Sequence, residues 1–216
     1  MFNQETPFFL SYSRTGAQSA GRRNVRSSDQ LVEQFYDDLC EDVAPLVHLP
    51  YGCDMGFMDT DGLPGGMNWH PELIHALGTC QVLVGLLSMG YLNSDWCGKE
   101  WHAFVRRHKE STATGNPNQG CIIPVRWAPL AGDVPAVVKD HVSIFSPKAT
   151  RLNPDLPQRY NAKGIFGLMQ TGEENAVAEI VWQLAQLIQK IYYGQRLEPR
   201  EFEPNELRNI FREGEP

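Results

Sequence analysis

The stretch Trp96-Cys97-Gly98-Lys99-Glu100 joins an aromatic ring, a thiol and a carboxylate at helical spacing just beyond a strand-like run. On a helix, residues four apart stack, so Trp96, Glu100 and Phe104 share one face and Cys97, Trp101 and Val105 the neighbouring one. One acid beside one ring makes a candidate site, in which a fixed carboxylate could stabilise positive charge developing on a reacting atom. The competing reading makes Glu100 a surface ion-pair partner. Cys97 would need a histidine to activate it as a nucleophile, and none is placed by sequence to do so; a small buried thiol is the favoured reading. His70 and His75 are five apart and His102 and His108 six apart, so neither pair shares a helix face as metal ligands would, and no metal is expected. A phosphate-cradling G-x-x-x-x-G-K-[ST] run is absent. The cluster Arg22-Arg23-x-x-Arg26 could approach a phosphate but reads better as solvated charge, and it is left without an assigned role.

The chain's bulk properties limit what such a site could serve. Its 216 residues suit one domain with a tail, long enough to bury a real core. Nineteen basic against 26 acidic side chains argue against a general nucleic-acid or anionic-membrane binder. Cys40, Cys53, Cys80, Cys97 and Cys121 are odd in number, widely spaced and without a C-x-x-C pair, which suggests neither a disulfide scaffold nor a structural zinc site. No signal-peptide pattern and no apolar run of membrane-spanning length is visible, so a soluble, cytoplasmic protein is expected.

The elements that must position the candidate residues alternate between strand and helix. Phe8-Phe9-Leu10 reads as a buried strand running into Ser11-Tyr12-Ser13 and then a Gly/Arg/Ser-rich loop over 14–28. Ser28 or Asp29 opens a helix whose stripe is Leu31, Phe35, Leu39 and Val43, and Gly56-Phe57-Met58 is a minimal strand. The run from Asp59 to Gly66 is a loop closed by Trp69, and Pro71 starts a helix to Gly78. Val82 to Leu87 is apolar without alternation, as in a central parallel strand covered on both faces. Ser94 or Asp95 caps the helix carrying Glu100. Ile122 to Trp127 is a further strand, placed at an edge by Pro124. A short strand is expected at Val142-Ser143-Ile144-Phe145, in a turn-rich stretch from 128 to 172. Val177, Ile180, Val181, Leu184, Leu187, Ile188 and Ile191 then mark an amphipathic helix. The expected organisation is a domain over 1–193 and a charged, solvated tail or linker over 194–216. Such an α/β chain wraps a parallel sheet on both faces and places its site at the carboxyl ends of strands, where Ser11 to Arg14, Asp59 and Ser88 stand.

These blocks resemble the TIR (Toll/interleukin-1 receptor) domain family. The resemblance rests on Phe8-Phe9-Leu10-Ser11-Tyr12-Ser13-Arg14, on Asp59…Leu63…Gly66…Trp69, and on Leu86-Leu87-Ser88…Tyr91…Ser94…Trp96-Cys97…Glu100. It covers about residues 7 to 193 and is similar to the bacterial type, with the wording around Cys97 closest to FxsC-type TIR-like proteins. It implies a flavodoxin-like three-layer sandwich with about five parallel strands, and self-association through the 59–69 loop.

The resemblance also implies an NAD⁺ glycohydrolase or cyclase in which Glu100 is catalytic, NAD⁺ is substrate and no cofactor is needed. Nicotinamide leaves a cationic pyridinium as a neutral base, so one carboxylate can suffice where an O-glycosidase needs two. By the same match Tyr12, Ser13, Arg14, Asp59, Ser88 and Trp96 would bind substrate, with Trp69 or Trp127 stacking on a base. Equally open at this stage, Tyr12 and Trp69 pack the loops, Arg14 pairs with Asp59, and Trp127 is core. The alternative for the whole chain is a non-catalytic TIR scaffold that signals by assembly, with a nucleotide sensor or base-exchange enzyme a more distant third. Defence or stress signalling is the implied setting, with a homo-oligomer and no nucleic acid or membrane as partner.

Overall fold

Four parallel strands, β1 (Phe8–Ser11), β2 (Gly56–Met58), β3 (Val82–Leu87) and β4 (Ile122–Arg126), pair in the order β2-β1-β3-β4. The structure is a computed structural model that describes residues 6–14, 27–59, 70–112, 120–132, 134–141 and 143–212. Every residue of β3 is buried, which accounts for its unbroken apolar run. The helices are α1 (Ser28–Val43), α2 (Pro71–Thr79), α3 (Met89–Leu92), α4 (Asp95–Thr112), α5 (Ala136–His141), α6 (Leu156–Gln170) and α7 (Glu174–Gly194).

Alternation along the strands sorts the core into two layers. Phe8 and Leu10 of β1 join Val82, Val84 and Leu86 of β3 beneath α1, α6 and α7, while Phe9, Leu83 and Leu87 face α2 and α4. Ser11 continues the second series and therefore turns toward α4. This is the expected three-layer α/β arrangement, and the reversal of strand order falls between β1 and β3, where open sheets of this kind leave a crevice at their carboxyl ends.

Two local expectations shift. The cap of α1 is Ser27, one residue earlier than expected. Ser27 Oγ accepts from the Gln30 N–H at 3.2 Å and the Ser27 N–H donates to Gln30 Oε1 at 3.0 Å, and that reciprocal pair needs a Gln or Glu three residues on, which neither Ser28 nor Asp29 has. The sheet has four strands among the described residues instead of about five. Residues 143–150 run beside β4 without forming a strand; the Phe145 N–H donates to the Pro124 carbonyl at 2.8 Å, but Pro124 has no N–H to complete a ladder on that side.

The largest correction concerns the segment after α7, read from its charges as solvated. Leu197, Phe202, Leu207 and Phe211 are buried against α2, α4 and the sheet. Their spacing of four to five residues fits neither helix nor strand periodicity, so the charged residues between them hide the pattern. The segment forms a strap. Gln81 binds the Leu197 backbone in both directions, donating to its carbonyl at 3.2 Å and accepting from its N–H at 2.8 Å. The buried Arg107 guanidinium of α4 donates to the carbonyls of Leu77, Cys80, Leu197 and Glu198, joining α2, α4 and strap at once. A guanidinium without water needs these acceptors, because an unsatisfied buried charge costs several kcal/mol, on the order of 3 to 5 when one partner is removed.

No helix of the described residues is long and apolar enough to cross a membrane. The strap crosses α2 at Gly78, where a Cβ would overlap the Arg200 carbonyl and where the Arg200 N–H donates to the Gly78 carbonyl at 3.0 Å. Gly78→Ala is therefore expected to lower stability by about 1–3 kcal/mol in urea denaturation and to open 195–212 to proteolysis. Gly120→Ala, where a Cβ meets nothing within 4 Å, should leave both unchanged.

Candidate active site

Ser11 ends β1 at the carboxyl edge of the sheet, pointing toward α4. Its hydroxyl lies 2.5 Å from Glu100 Oε2 and 2.9 Å from the Tyr91 hydroxyl. Glu100 reaches this position because Ser94 caps α4, accepting the Cys97 N–H at 3.3 Å, and because Cys97, Trp101 and Phe104 bury the adjoining surface of the helix. Ser11 pairs in register with Gly85 of β3, and a Cβ at Gly85 would come 2.8 Å from the Tyr91 hydroxyl. The missing side chain is what lets Tyr91 reach across the sheet.

Glu100 is 7% exposed. Burial raises its pKa from an ordinary 4.5 to about 8; Asp59 pushes in the same direction, while the Ser11 hydrogen bond and Arg14 oppose the rise. The carboxyl thus titrates near neutrality, poised between a neutral acid and a charged stabiliser.

The remaining expected residues divide by position. Tyr12, Arg14 and Asp59 meet at the ends of β1 and β2. The Tyr12 hydroxyl donates to the Asp59 carbonyl at 3.3 Å, and Arg14 donates to the same carbonyl at 2.7 Å, with 3.9 Å to the Asp59 carboxylate. Arg14 and Asp59 are each about one-third exposed (34% and 31%), so the pair is a cross-link at the rim, accessible from solvent. Ser88 caps α3 by accepting the Tyr91 N–H at 3.1 Å. Ser13 and Ser88 both lie beside Gly90, with Ser13 Oγ 3.2 Å and Ser88 Oγ 3.7 Å from where its Cβ would stand. Trp96 is half-buried one turn before Glu100, with the Lys99 ammonium 5.1 Å from its ring centre. Trp69 lies outside the described residues, as does the loop from 60 onward.

Trp127 requires a correction. It is buried on the opposite face of the sheet, with ring centres 5.9 Å from Phe35 and 6.0 Å from Phe166, so no face of the indole is open to a base. Its position follows from alternation: Ile123, Val125 and Trp127 all face the α1 side. Cys97 is buried with its Sγ–H directed at the Tyr12 carbonyl, 3.5 Å away, and burial pushes its thiol pKa far up; it packs and does not attack. Tyr91 and Gly85 have no role in the sequence reading, and Ser11 stands there only at the strand end where a site is expected, with no role of its own. Two signals were available for them: Ser11 alternates with Phe9, and a lone glycine inside a buried strand marks a close approach.

The sequence profile of the family described as TIR domain matches residues 8–151. The chain belongs to the TIR domain family. Within this TIR domain the matched span includes β1 to β4 and every candidate residue named above. No curated protein matches the chain. Among solved structures it is similar to the TIR domains of the activated Roq1 resistosome directly recognizing the pathogen effector XopQ, at 17% identity over 87% of this chain and 97% of that one, with a TM-score of 0.34.

The ionisation of Glu100 gives this TIR domain a stability signature. Because folding raises the carboxyl's pKa, the native state holds the proton more tightly than the unfolded chain; the stabilisation is complete below about 4.5 and is lost as pH rises through about 8. Glu100→Gln keeps the shape and removes the charge. Denaturation at pH 5 and pH 9 should show wild type losing up to about 4 kcal/mol relative to Glu100→Gln across that interval. A pH-independent difference would mean the carboxyl is not desolvated.

Proposed function

We propose that this TIR domain is an NAD⁺ glycohydrolase or cyclase that breaks the nicotinamide–ribose bond, with Glu100 as its catalytic residue. The observation that carries the reading is the single carboxylate held at the strand ends by Ser11, in the crevice where sheets of this order bind nucleotides. In the reaction, the bond from ribose C1′ to the pyridinium nitrogen breaks and its electron pair leaves with neutral nicotinamide. The ribosyl carbon becomes oxocarbenium-like. Water then adds at C1′ and releases a proton, giving ADP-ribose, or an adenine nitrogen adds instead and closes a cyclic isomer.

Ionised Glu100 stabilises that cation and hydrogen-bonds the ribose hydroxyls. Opposite unit charges 4 Å apart attract by roughly 4 kcal/mol at an effective dielectric of 20, which after screening corresponds to about a hundredfold to a thousandfold in rate. Tyr12, Ser13, Ser88 and Trp96 surround the nicotinamide ribose, and Arg14, on exchanging Asp59 for substrate, offers a fork of donors to pyrophosphate. Trp69 stacks on a base. NAD⁺ is substrate and no separate cofactor takes part.

Self-association, through contacts that include the 59–69 loop, completes the pocket and activates the enzyme in cytoplasmic bacterial defence or stress signalling, the bacterial setting resting on the resemblance of the sequence around Cys97 to FxsC-type proteins. A second reading, a non-catalytic scaffold, is favoured by one observation: at neutral pH a carboxyl with a pKa of about 8 is mostly uncharged. The two separate in one assay. Purified protein is incubated with NAD⁺, free and clustered on beads, beside Glu100→Ala. Nicotinamide release about 10² to 10³ times faster in wild type supports the enzyme; equal release removes Glu100 from the mechanism, and concentration-dependent assembly without turnover establishes the scaffold.

A further inference from the structure

Phe211, in the last described turn of the strap, sits with its ring centre 5.7 Å from Tyr91 and 5.5 Å from Trp101. It is held there through Asn209. The Asn209 amide donates to Asp95 Oδ1 at 2.7 Å, and its carbonyl oxygen accepts the Phe211 N–H at 3.0 Å. Gly98 leaves the space that Asn209 fills, since a Cβ there would overlap the amide. The strap is thereby fastened to the first turn of α4, immediately before Glu100.

The hydroxyls beneath form a chain of hydrogen bonds that joins Tyr91, Ser11 and Glu100. Burial keeps the Tyr91 phenol protonated, so it can donate to Ser11 Oγ; the one Ser11 proton is then free to go to Glu100. An ionised Glu100 can only accept, so it alone fixes the direction of the whole chain, Tyr91 to Ser11 to Glu100, whereas the neutral acid permits either direction.

We propose that Tyr91 and Phe211 are positioning residues for Glu100: Phe211 holds the Tyr91 ring, and the Tyr91 hydroxyl commits the Ser11 proton to the carboxylate. The strap is therefore part of the candidate active site through the ring of Phe211 behind Tyr91. The catalytic importance of this control rests on the reading of Glu100 given above, but the control itself does not. The other groups acting on Glu100 are Arg14 beyond β1, which favours its charge, and Asp59 beyond β2, which opposes it. Cys97 lies on α4 itself and is neutral at ordinary pH.

The test reads the Glu100 side chain directly. Glutamate-labelled protein is titrated by carbon NMR, the Glu100 carboxyl being assigned by its loss in Glu100→Gln. Tyr91→Phe, which keeps the ring and removes the hydroxyl, should move the ionisation midpoint up by about one pH unit. Phe211→Leu, which keeps apolar bulk and loses the ring contact, should move it the same way by roughly half as much. The double variant should move no further than Tyr91→Phe alone, since both act through one hydroxyl.

An unchanged midpoint in Tyr91→Phe overturns the relay, and a shift in Tyr91→Phe without one in Phe211→Leu removes the strap from it. NAD⁺ turnover measured in parallel keeps the two ideas apart. Lost turnover with an unmoved midpoint means packing alone and counts against the proposal. Shifted midpoints in a protein that never releases nicotinamide uphold the relay and overturn the enzymatic reading.

Discussion

The Ser11–Glu100 hydrogen bond is the constraint on which the rest of this TIR domain turns. A carboxylate taken out of water loses several kcal/mol of hydration, and a single hydroxyl returns only part of it. The outcome is a compromise visible in the acid's affinity for its proton: burial drives the pKa up, Ser11 and Arg14 pull against it, and the group settles at about 8. Everything that fixes the Ser11–Glu100 distance therefore also sets how readily Glu100 becomes charged. A surface glutamate would be ionised at neutral pH, yet screened and free to move.

Holding two atoms 2.5 Å apart across the sheet and a helix demands rigidity on both sides. Ser11 has it by ending a central strand, bonded to β2 on one side and β3 on the other. Glu100 has it from the packing of α4, whose sheet-facing side chains Cys97, Trp101 and Phe104 are buried, and whose outer side is tied down by the strap. Arg107, seven residues beyond Glu100, anchors the same helix to the carbonyl end of α2. The strap is thus the third support of the candidate site, after the sheet and the helix cap.

Much of this was legible in the chain. The unbroken run Val82 to Leu87 marked the central strand, Pro124 marked the edge, and the family's blocks put Glu100 in one expected site with Tyr12, Ser13 and Arg14. The parts that were not legible share a physical cause: each depends on a contact between residues distant in sequence. Tyr91 and Gly85 acquire meaning only when β3 lies against β1, which brings Ser11 under the phenol. Trp127, one residue beyond a strand, was free to face either layer until the register with β3 assigned it to the α1 side. The strap was missed because charge composition reports average solvation, whereas four apolar residues in irregular spacing suffice to dock a segment on a surface that the sheet has already built. The fifth strand failed for a subtler reason, a proline turned toward the place where a ladder would have to form.

The most direct test of the central claim is the pH dependence of kcat/KM for nicotinamide release, measured with assembled protein between pH 6 and pH 10. That ratio reports groups on the free enzyme. A buried carboxylate that must be charged to act predicts a rate rising tenfold per pH unit and levelling above an apparent pKa of about 8, with the whole rise absent from Glu100→Gln. A flat profile through that range, or the same rise in Glu100→Gln, would contradict the account.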